Sequence, residues 1–186
     1  FAFSRENWKR PKAEVAFLMG FNRGLLRPRR DELHRMNVRV RFLGRRDWKV
    51  PPSVLKEMEI SEELTRDNTG MTLTIAFNYG GRVEVVDAVK RLIADHDAGR
   101  LKGEKLTPES MSRRLYHPDM PDPDLIIRTS GEERIRNFLL WQAAYSELYF
   151  TPVYWPDFDR EHLYEAVRDF QKRSRRFGAI AENDSD

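Results

Sequence analysis

The chain has 186 residues, 40% of them hydrophobic and eleven of them Phe, which is enough for one domain with a buried core. It has no cysteine, so disulfides, thiolate metal sites and cysteine nucleophiles are excluded. The net charge is only +3, from 33 basic and 30 acidic residues that are interleaved. This balance indicates local basic pockets for a small anion rather than a nucleic-acid-binding stripe. No apolar run approaches the length of a membrane span.

In chain order, the sequence alternates predicted strands with predicted helices. The opening "FAFSRENW" begins with buried-type residues, and we interpret residues 1–3 as the end of a core strand that starts before Phe1. Apolar runs rich in β-branched residues predict strands at 1–3, 38–44, 71–79, 124–129 and 148–150. Helical spacing and caps predict a first helix at 11–26, which resumes at 29–36 after Pro28. They predict further helices at 53–66, 83–97, from Thr107, at 136–145 and from Asp159 to the "SRRFG" stretch.

This alternation predicts an α/β fold with a central, mostly parallel sheet flanked by helices on both faces. Two helix details are specific: Ser53 is the expected cap of the second helix, and Pro28 is expected to kink or end the first. The predicted apolar side of the helix at 83–97 consists of Val85, Val86, Val89, Leu92 and Ile93.

The stretch "IRTSGEERIRN" places three arginines where a strand ends. Ligands of open α/β sheets bind beyond the carboxyl ends of strands, and Arg128 lies at that end. The helix expected to begin near Arg136 has free N–H groups and a dipole that favour an anion. With Arg128, Arg134 and Arg136 as bidentate donors, the sequence predicts a site for a multiply charged anion such as a diphosphate.

Alternatives remain open from the residues alone. The arginine stretch could be a solvated loop in which Glu132 and Glu133 neutralise the arginines. Glu147 is a lone acid after an apolar run, and such a carboxylate needs a partner. That partner is either an arginine or backbone cap, or Mg²⁺, which binds one or two carboxylates plus substrate phosphates.

The stretch "SRENWKRP" also follows a predicted strand end. Ser4, Glu6, Asn7 and Arg10 offer a hydroxyl, a carboxylate, an amide and a cation beside the indole of Trp8. We interpret Arg10 as a candidate ligand for a second phosphate group. The alternative is a polar helix cap with Trp8 as a core anchor.

These segments together resemble a known family. "SRENWKRP", "NYGGR", "IRTSGEERIRNFLLWQAAYSELYFTPVYWPDFD" and "RRFG" are similar to the cis-prenyltransferases, such as undecaprenyl diphosphate synthase. The resemblance covers essentially the whole chain, so we expect one catalytic domain at 1–178 and a polar tail at 179–186.

The resemblance implies a Mg²⁺-dependent transferase that condenses isopentenyl diphosphate with an allylic diphosphate, such as farnesyl diphosphate, in cis. It implies a homodimer with a hydrophobic tunnel lined by Ala2 and Phe3. It also implies a cytoplasmic location, at the inner face of the membrane, and a lipid product that carries cell-wall glycans. A non-catalytic or regulatory subunit of a prenyltransferase is the alternative, while a nucleic-acid binder using "RPRR", "RVRFLGRR" and "KRSRR" is disfavoured.

The resemblance also assigns roles to matching residues. Asn7, with Ser4 beside it, would assist proton removal, and Glu147 would be a Mg²⁺ ligand. Arg136 stands where many members have Ser, so it either binds diphosphate or pairs with Glu132 or Glu133. Substrate would be bound by Arg5, Glu6, Trp8, Arg10, Arg128, Arg134, Ile135, Arg136 and, from the partner subunit's side, by the Arg176–Gly178 element.

One family feature is missing from the sequence. The block Asp-Gly-Asn-Gly-Arg-Trp, which carries a metal-binding Asp and holds the allylic diphosphate, does not occur. The resemblance places this block before the strand that contains Phe3. We therefore expect the 186 residues alone to be inactive.

Overall fold

The structure, a computed structural model, describes residues 1–101 and 105–173. Within the first range, it describes residues 21–27 by their backbone alone. The chain divides into two compact units, Phe1–Asp119 and Met120–Asp186. The strands are β1 Phe3–Ser4, β2 Arg39–Leu43, β3 Thr72–Tyr79, β4 Leu125–Arg128 and β5 Glu147–Phe150. The helices are α1 Lys12–Arg35, α2 Pro52–Leu64, α3 Gly81–Asp97, α4 Pro108–Ser112 and α5 Arg160–Lys172.

The α/β class with parallel sheets is confirmed. In the first unit, β3 lies between β1 and β2 and is parallel to both. In the second unit, β4 and β5 form a parallel pair. No helix in the described ranges is both long and apolar enough to cross a membrane.

The three-stranded sheet is built around β3, whose sequence "TLTIAFNY" is rich in β-branched and aromatic residues. Phe3 pairs with Phe77 in the ladder and is buried, so the predicted strand at the start of the chain is confirmed for Phe3–Ser4. Phe1 is half exposed. The carboxyl ends of β1, β2 and β3 therefore lie at one edge of this sheet.

Helix α2 covers the outer edge of β2. Val40 N donates to Thr65 Oγ1 at 2.9 Å, and Phe42 N donates to Glu62 Oε1 at 2.9 Å. These side chains satisfy backbone donors that an edge strand would otherwise leave open. Helix α1 joins α2 through an ion pair between Arg30 and Glu57 at 3.0 Å.

The second unit departs from the sequence prediction between its strands. We predicted a helix at 136–145, but Arg136, Asn137 and Leu139 have φ values of 46°, 61° and 47°, which an α-helix does not allow. Only Gln142–Tyr145 forms a short 3₁₀ helix. The expected helix N-terminus at Arg136 is therefore absent from this segment, and so is its dipole.

The buried side of α3 also differs from the prediction. Val86, Val89 and Ile93 are exposed, whereas Glu84 and Ala88 are buried. The Glu84 carboxylate accepts hydrogen bonds from Tyr79 Oη at 2.5 Å and from a backbone N–H at 3.0 Å. Because both carboxylate oxygens have donors, a buried acid is tolerated on this side.

Helix ends follow the sequence in part. Thr107 caps α4 and Asp159 caps α5, as predicted. Pro28 does not end α1, which continues to Arg35. The expected cap at Ser53 is wrong, because Pro51 precedes the first residue of α2 and Ser53 lies in its first turn.

The end of β2 depends on a glycine. Gly44 has a φ of 140°, and a Cβ there would lie 2.0 Å from the carbonyl oxygen of Phe77. We predict that Gly44→Ala lowers the free energy of unfolding by about 3 kcal/mol. Gly20→Ala is the control, because a Cβ added there meets no atom within 4 Å beyond its chain neighbours and its own helix backbone, and helix propensity predicts a gain of up to about 1 kcal/mol. Equal effects of the two variants in urea unfolding would contradict the prediction.

Candidate functional site

One buried amide organises the carboxyl edge of the three-stranded sheet. Asn78 is fully buried near the end of β3, with a φ of 50°. Its Oδ1 accepts from Trp8 Nε1 at 2.7 Å, and its Nδ2 donates to the carbonyl of Arg45 at 2.8 Å and to Asp47 Oδ1 at 3.3 Å. One side chain of β3 thus joins the segments that follow β1 and β2.

A second connection at this edge is ionic. Arg5 Nη1 donates to Asp47 Oδ2 at 3.0 Å, and the backbone N–H of Lys49 donates to Asp47 Oδ1 at 3.2 Å. Burial acts to raise the pKa of Asp47, but the hydrogen bonds from Arg5 and Lys49 outweigh it and hold that pKa below its usual value. Asp47 therefore stays ionised and fixes Arg5.

Ser4 and Asn7, the residues assigned to proton removal, lie together. The backbone N–H of Ser4 donates to Asn7 Oδ1 at 2.7 Å. This bond holds the amide at the start of the 3₁₀ helix Arg5–Lys9. Glu6 is exposed on the same turn.

Trp8 and Arg10 border a cavity of about 520 Å³. Arg10 also forms an ion pair with Glu14. The cavity combines two cations with an apolar wall, which suits a molecule that has an anionic group and an apolar chain. Its lining consists of Trp8, Arg10, Lys12, Val15, Ala16, Met19 and Pro51.

A second cavity of the first unit, of about 420 Å³, is mainly apolar. Ala2 lines it, whereas Phe3 packs in the core against Trp8 and Phe77, with ring centroids 4.9 and 5.4 Å apart. Leu33 of α1 closes one side. The full lining is Ala2, Arg29, Arg30, Glu32, Leu33, Met36, Val40, Ser61, Leu73 and Ile75.

In the second unit, the three predicted diphosphate-binding arginines converge on one carboxylate. Glu132 Oε2 accepts from Arg128 and lies 3.5 Å from Arg136 Nη1, while Glu132 Oε1 accepts from Arg134 Nη2 at 2.8 Å. Burial acts to raise the pKa of Glu132, but the hydrogen bond from Arg128 and the three positive charges hold it below its usual value. Arg136 therefore joins the other two arginines. We call these four side chains the arginine cluster.

The loop that carries the arginine cluster is anchored by its backbone. Ser130 N donates to the carbonyl of Val153 at 2.8 Å, and Gly131 N donates to that of Thr151 at 2.9 Å. Gly131 has a φ of 65°, which glycine adopts without strain. Ile135 lies half-buried between two of the arginines. The predicted anion site thus rests on guanidiniums at the end of β4 and in the anchored loop that follows, not on a helix N-terminus.

Glu147 has a different partner. Its Oε2 accepts from Arg173 Nη1 at 2.9 Å, and Arg173 Nη2 donates to Asp169 Oδ2 at 2.6 Å. These two carboxylates raise the pKa of Arg173. The arginine partner that the sequence left open is thus present.

Glu147 does not lie beside the arginine cluster. It pairs with Leu125 at the beginning of the β4–β5 ladder, whereas Arg128 pairs with Phe150 at its end. Three residues of strand separate the two positions by about 10 Å, and alternation places their side chains on opposite faces. The strand pair therefore does not bring this acid and the arginines together.

Two further predictions concern the carboxy-terminal Arg176–Gly178 element and the metal ligands. Arg176 and Gly178 lie outside the described residues. Within 1–101 and 105–173, no group of three or more His, Asp or Glu side chains is placed to share a metal ion.

Sequence reasoning missed Asn78 and Asp47 as positioning residues, and Arg173 as the partner of Glu147. Asn78 carries a usable signal, because Asn before a glycine pair at a strand end is a common left-handed residue. Asp47 and Arg173 carry no such local signal, since their partners Arg5 and Glu147 lie 42 and 26 residues away in the sequence.

Comparison with known proteins places this geometry in a family. A protein-family model described as "Putative undecaprenyl diphosphate synthase" matches residues 1–178. A trans,polycis-polyprenyl diphosphate synthase of Thermobifida fusca, named as (2Z,6E)-farnesyl diphosphate specific, is 53% identical over 185 residues. The chain belongs to the undecaprenyl diphosphate synthase family. The resemblance inferred from the sequence motifs is therefore confirmed.

Other members agree in sequence and fold. An isoprenyl transferase of Agrobacterium fabrum is 53% identical over 182 residues, which are 98% of this chain and 73% of that protein. Lavandulyl diphosphate synthase from Lavandula x intermedia, solved in complex with dimethylallyl diphosphate, superposes with a TM-score of 0.91 at 32% identity. That match covers 95% of this chain and 76% of the solved one. The chain spans 64% of the length of the Thermobifida relative.

The Asp47 ion pair predicts a pH-dependent stability. Because the pKa of Asp47 is lower in the folded chain, its contribution is complete above the unfolded pKa near 4 and is lost as the pH falls through the folded value. At pH 7 we expect Asp47→Asn to be less stable than the wild type by about 1–2 kcal/mol.

The difference should shrink at pH 3, as measured by urea unfolding at both pH values. Asp67→Asn is the control, because the Asp67 side chain is 89% exposed and its removal should change stability little at either pH. A difference for Asp47→Asn that is the same at pH 7 and pH 3 would rule out this contribution.

Proposed function

We propose that the protein is a Mg²⁺-dependent cis-prenyltransferase that condenses isopentenyl diphosphate with an allylic diphosphate, such as farnesyl diphosphate, to make a long-chain polyprenyl diphosphate. The observation that carries the proposal is the convergence of Arg128, Arg134 and Arg136 on a single carboxylate in an anchored loop. Three guanidiniums at one point fit a group with several negative charges. The diphosphate of isopentenyl diphosphate is such a group.

The first unit contains four more of the residues assigned to substrate. Arg5, Glu6, Trp8 and Arg10 are proposed to contact substrate. The cavity lined by Trp8 and Arg10 supports this role for these two residues, because its cations suit a diphosphate and its apolar wall suits an isoprenoid chain. The apolar cavity at Ala2 supports the proposed tunnel for the growing chain.

Proton removal completes the condensation, because the adduct must lose a proton when the double bond forms. We assign assistance in this step to Asn7, with Ser4 beside it. The hydrogen bond from Ser4 N orients Asn7 Oδ1, and an amide oxygen with two lone pairs retains capacity to accept a second bond. The role of both residues is thus positioning a proton acceptor or relay.

The residues fit a magnesium ion only in one way. Glu147 offers one carboxylate, and it is bonded to Arg173. This fits an ion that takes most of its ligands from substrate phosphates and water, not an ion held by protein alone. Glu147 would release Arg173, which keeps its bonds to Asp169. The ion, when bound, neutralises charge on the diphosphate leaving group.

The wider assignments also follow from the family. We propose that residues 1–178 act as one catalytic domain with a central sheet between two helical layers, and that 179–186 form a polar tail. A homodimer, with Arg176 and Gly178 acting toward the partner subunit, is proposed on the same ground. So are a cytoplasmic location at the inner face of the membrane and a product that carries cell-wall glycans.

The transferase assignment is tested with the full-length protein. Labelled isopentenyl diphosphate, farnesyl diphosphate and Mg²⁺ should give label in butanol-extractable lipid. No incorporation would contradict the transferase and favour a non-catalytic subunit.

Within that assay, Arg128→Ala should raise the KM for isopentenyl diphosphate about tenfold to a hundredfold, because it removes a charge-assisted hydrogen bond. Arg160→Ala, at an exposed position of α5, is the matched control and should leave KM unchanged. Unfolding of both variants is measured alongside. An unaltered KM for Arg128→Ala would show that Arg128 is structural.

Glu147→Gln should raise the Mg²⁺ concentration for half-maximal incorporation by about tenfold or more. Asp169→Asn is the matched control, because it also removes a carboxylate from Arg173 but is not assigned to the metal. If both variants change the Mg²⁺ dependence equally, Glu147 acts through Arg173 and not on the ion.

A further inference from the structure

We propose that Glu132 is an internal counter-ion that occupies the diphosphate subsite of the arginine cluster and must be displaced when substrate binds. The inference rests on the proposed function, since it assigns a regulator of affinity to the same subsite. It concerns a residue to which the family resemblance gave no binding role.

The contacts of Glu132 are those expected of an anionic ligand. Its two carboxylate oxygens are shared among three guanidiniums, two at Oε2 and one at Oε1. The neighbouring Glu133 is exposed and has no ion pair described at the cluster. The sequence left both Glu132 and Glu133 as possible partners of the arginines, and in the structure Glu132 is the partner of all three.

The carboxylate does not saturate the cluster. The Nε atom of Arg128 is buried and has no hydrogen-bond partner among the described residues. A carboxylate offers two oxygens, whereas a diphosphate offers several and can bond to more of the guanidinium donors. A diphosphate thus gains contacts that Glu132 cannot make.

Glu132 is also accessible for displacement. The side chains of Glu132, Arg134 and Arg136 are 30%, 63% and 47% exposed. Ion pairs at such exposure are weak, because water screens the charges and ordering the long side chains is entropically unfavourable. The pairing can therefore be exchanged for a stronger anion in solution.

Displacement does not require the loop to move. The bonds from Ser130 N to Val153 O and from Gly131 N to Thr151 O hold the loop, and neither involves Glu132. The alternative is that Glu132 is a positioning residue that keeps the arginines in place for the substrate. The two roles predict opposite changes in affinity.

Binding of inorganic pyrophosphate to the full chain, measured by calorimetry at fixed ionic strength, separates them. If Glu132 competes with the ligand, Glu132→Gln should bind pyrophosphate about tenfold more tightly than the wild type. That is about 1.4 kcal/mol. Glu133→Gln makes the same change in net charge one residue away. It corrects for long-range electrostatics and should shift the Kd about twofold or less.

A parallel measurement is the rise in Tm on adding pyrophosphate, which should be larger for Glu132→Gln than for Glu133→Gln. Weaker binding by Glu132→Gln, or equal tightening in both variants, would overturn the proposal. Arg128→Gln tests the subsite itself and should abolish the tight binding. If Arg128→Gln binds pyrophosphate as the wild type does, or if no variant binds it, two proposals are contradicted. These are that the arginine cluster is a diphosphate subsite and that Glu132 is its counter-ion. Loss with Arg128→Gln together with weaker binding by Glu132→Gln would overturn only the counter-ion.

Discussion

The first unit depends on the buried side chain of Asn78. Three parallel strands end at one edge of the sheet. The segments that follow β1 and β2 lie beyond the hydrogen bonds of the sheet, so other contacts must fix them. Asn78 provides them from a left-handed backbone position by bonding to Trp8, Arg45 and Asp47. Leaving such buried donors and acceptors unpaired would cost about 1–3 kcal/mol each. The positions of Trp8 and Arg5 at the proposed substrate site therefore follow from a neutral amide that contacts no substrate.

In the second unit, ion pairs fix the side chains at the proposed ligand sites. Three guanidiniums, one at the end of β4 and two in the loop that follows, repel one another, and Glu132 offsets that repulsion. Glu147 shows the reverse arrangement, since Arg173 neutralises an acid proposed to bind a cation. Each proposed ligand site is thus paired internally with the charge of its own ligand. This arrangement is stable without substrate and exchangeable when substrate brings more charge than the internal partner.

Much of this was accessible from the sequence, for physical reasons. Beta-branched and aromatic residues located β3, and a continuous apolar run located β4, so the placement of Arg128 at a strand end followed from pattern alone. Caps with an oxygen side chain, at Thr107 and Asp159, were also correct, because they act over three residues. What failed depended on distant partners. The spacing of "FLLWQAAY" satisfies a helix, yet the left-handed backbone at Arg136, Asn137 and Leu139 excludes one. Val86 and Val89 of α3 are exposed, whereas Glu84 is buried. Glu84 accepts a hydrogen bond from the backbone N–H of Tyr116, which lies 32 residues away.

The two kinds of order respond differently to the solution. The bonds of Asn78 to Trp8 and to the Arg45 carbonyl join neutral groups, so salt and modest changes of pH leave them in place. The arginine cluster is partly exposed, and ions at physiological strength screen charges beyond about 8 Å. Its attraction for an approaching diphosphate therefore weakens with salt, but so does the pairing with Glu132 that opposes binding. Because both terms are screened together, the exchange between Glu132 and a diphosphate depends on ionic strength less steeply than three bare arginines would. The proposed counter-ion would thus moderate the salt dependence of the proposed subsite as well as its affinity.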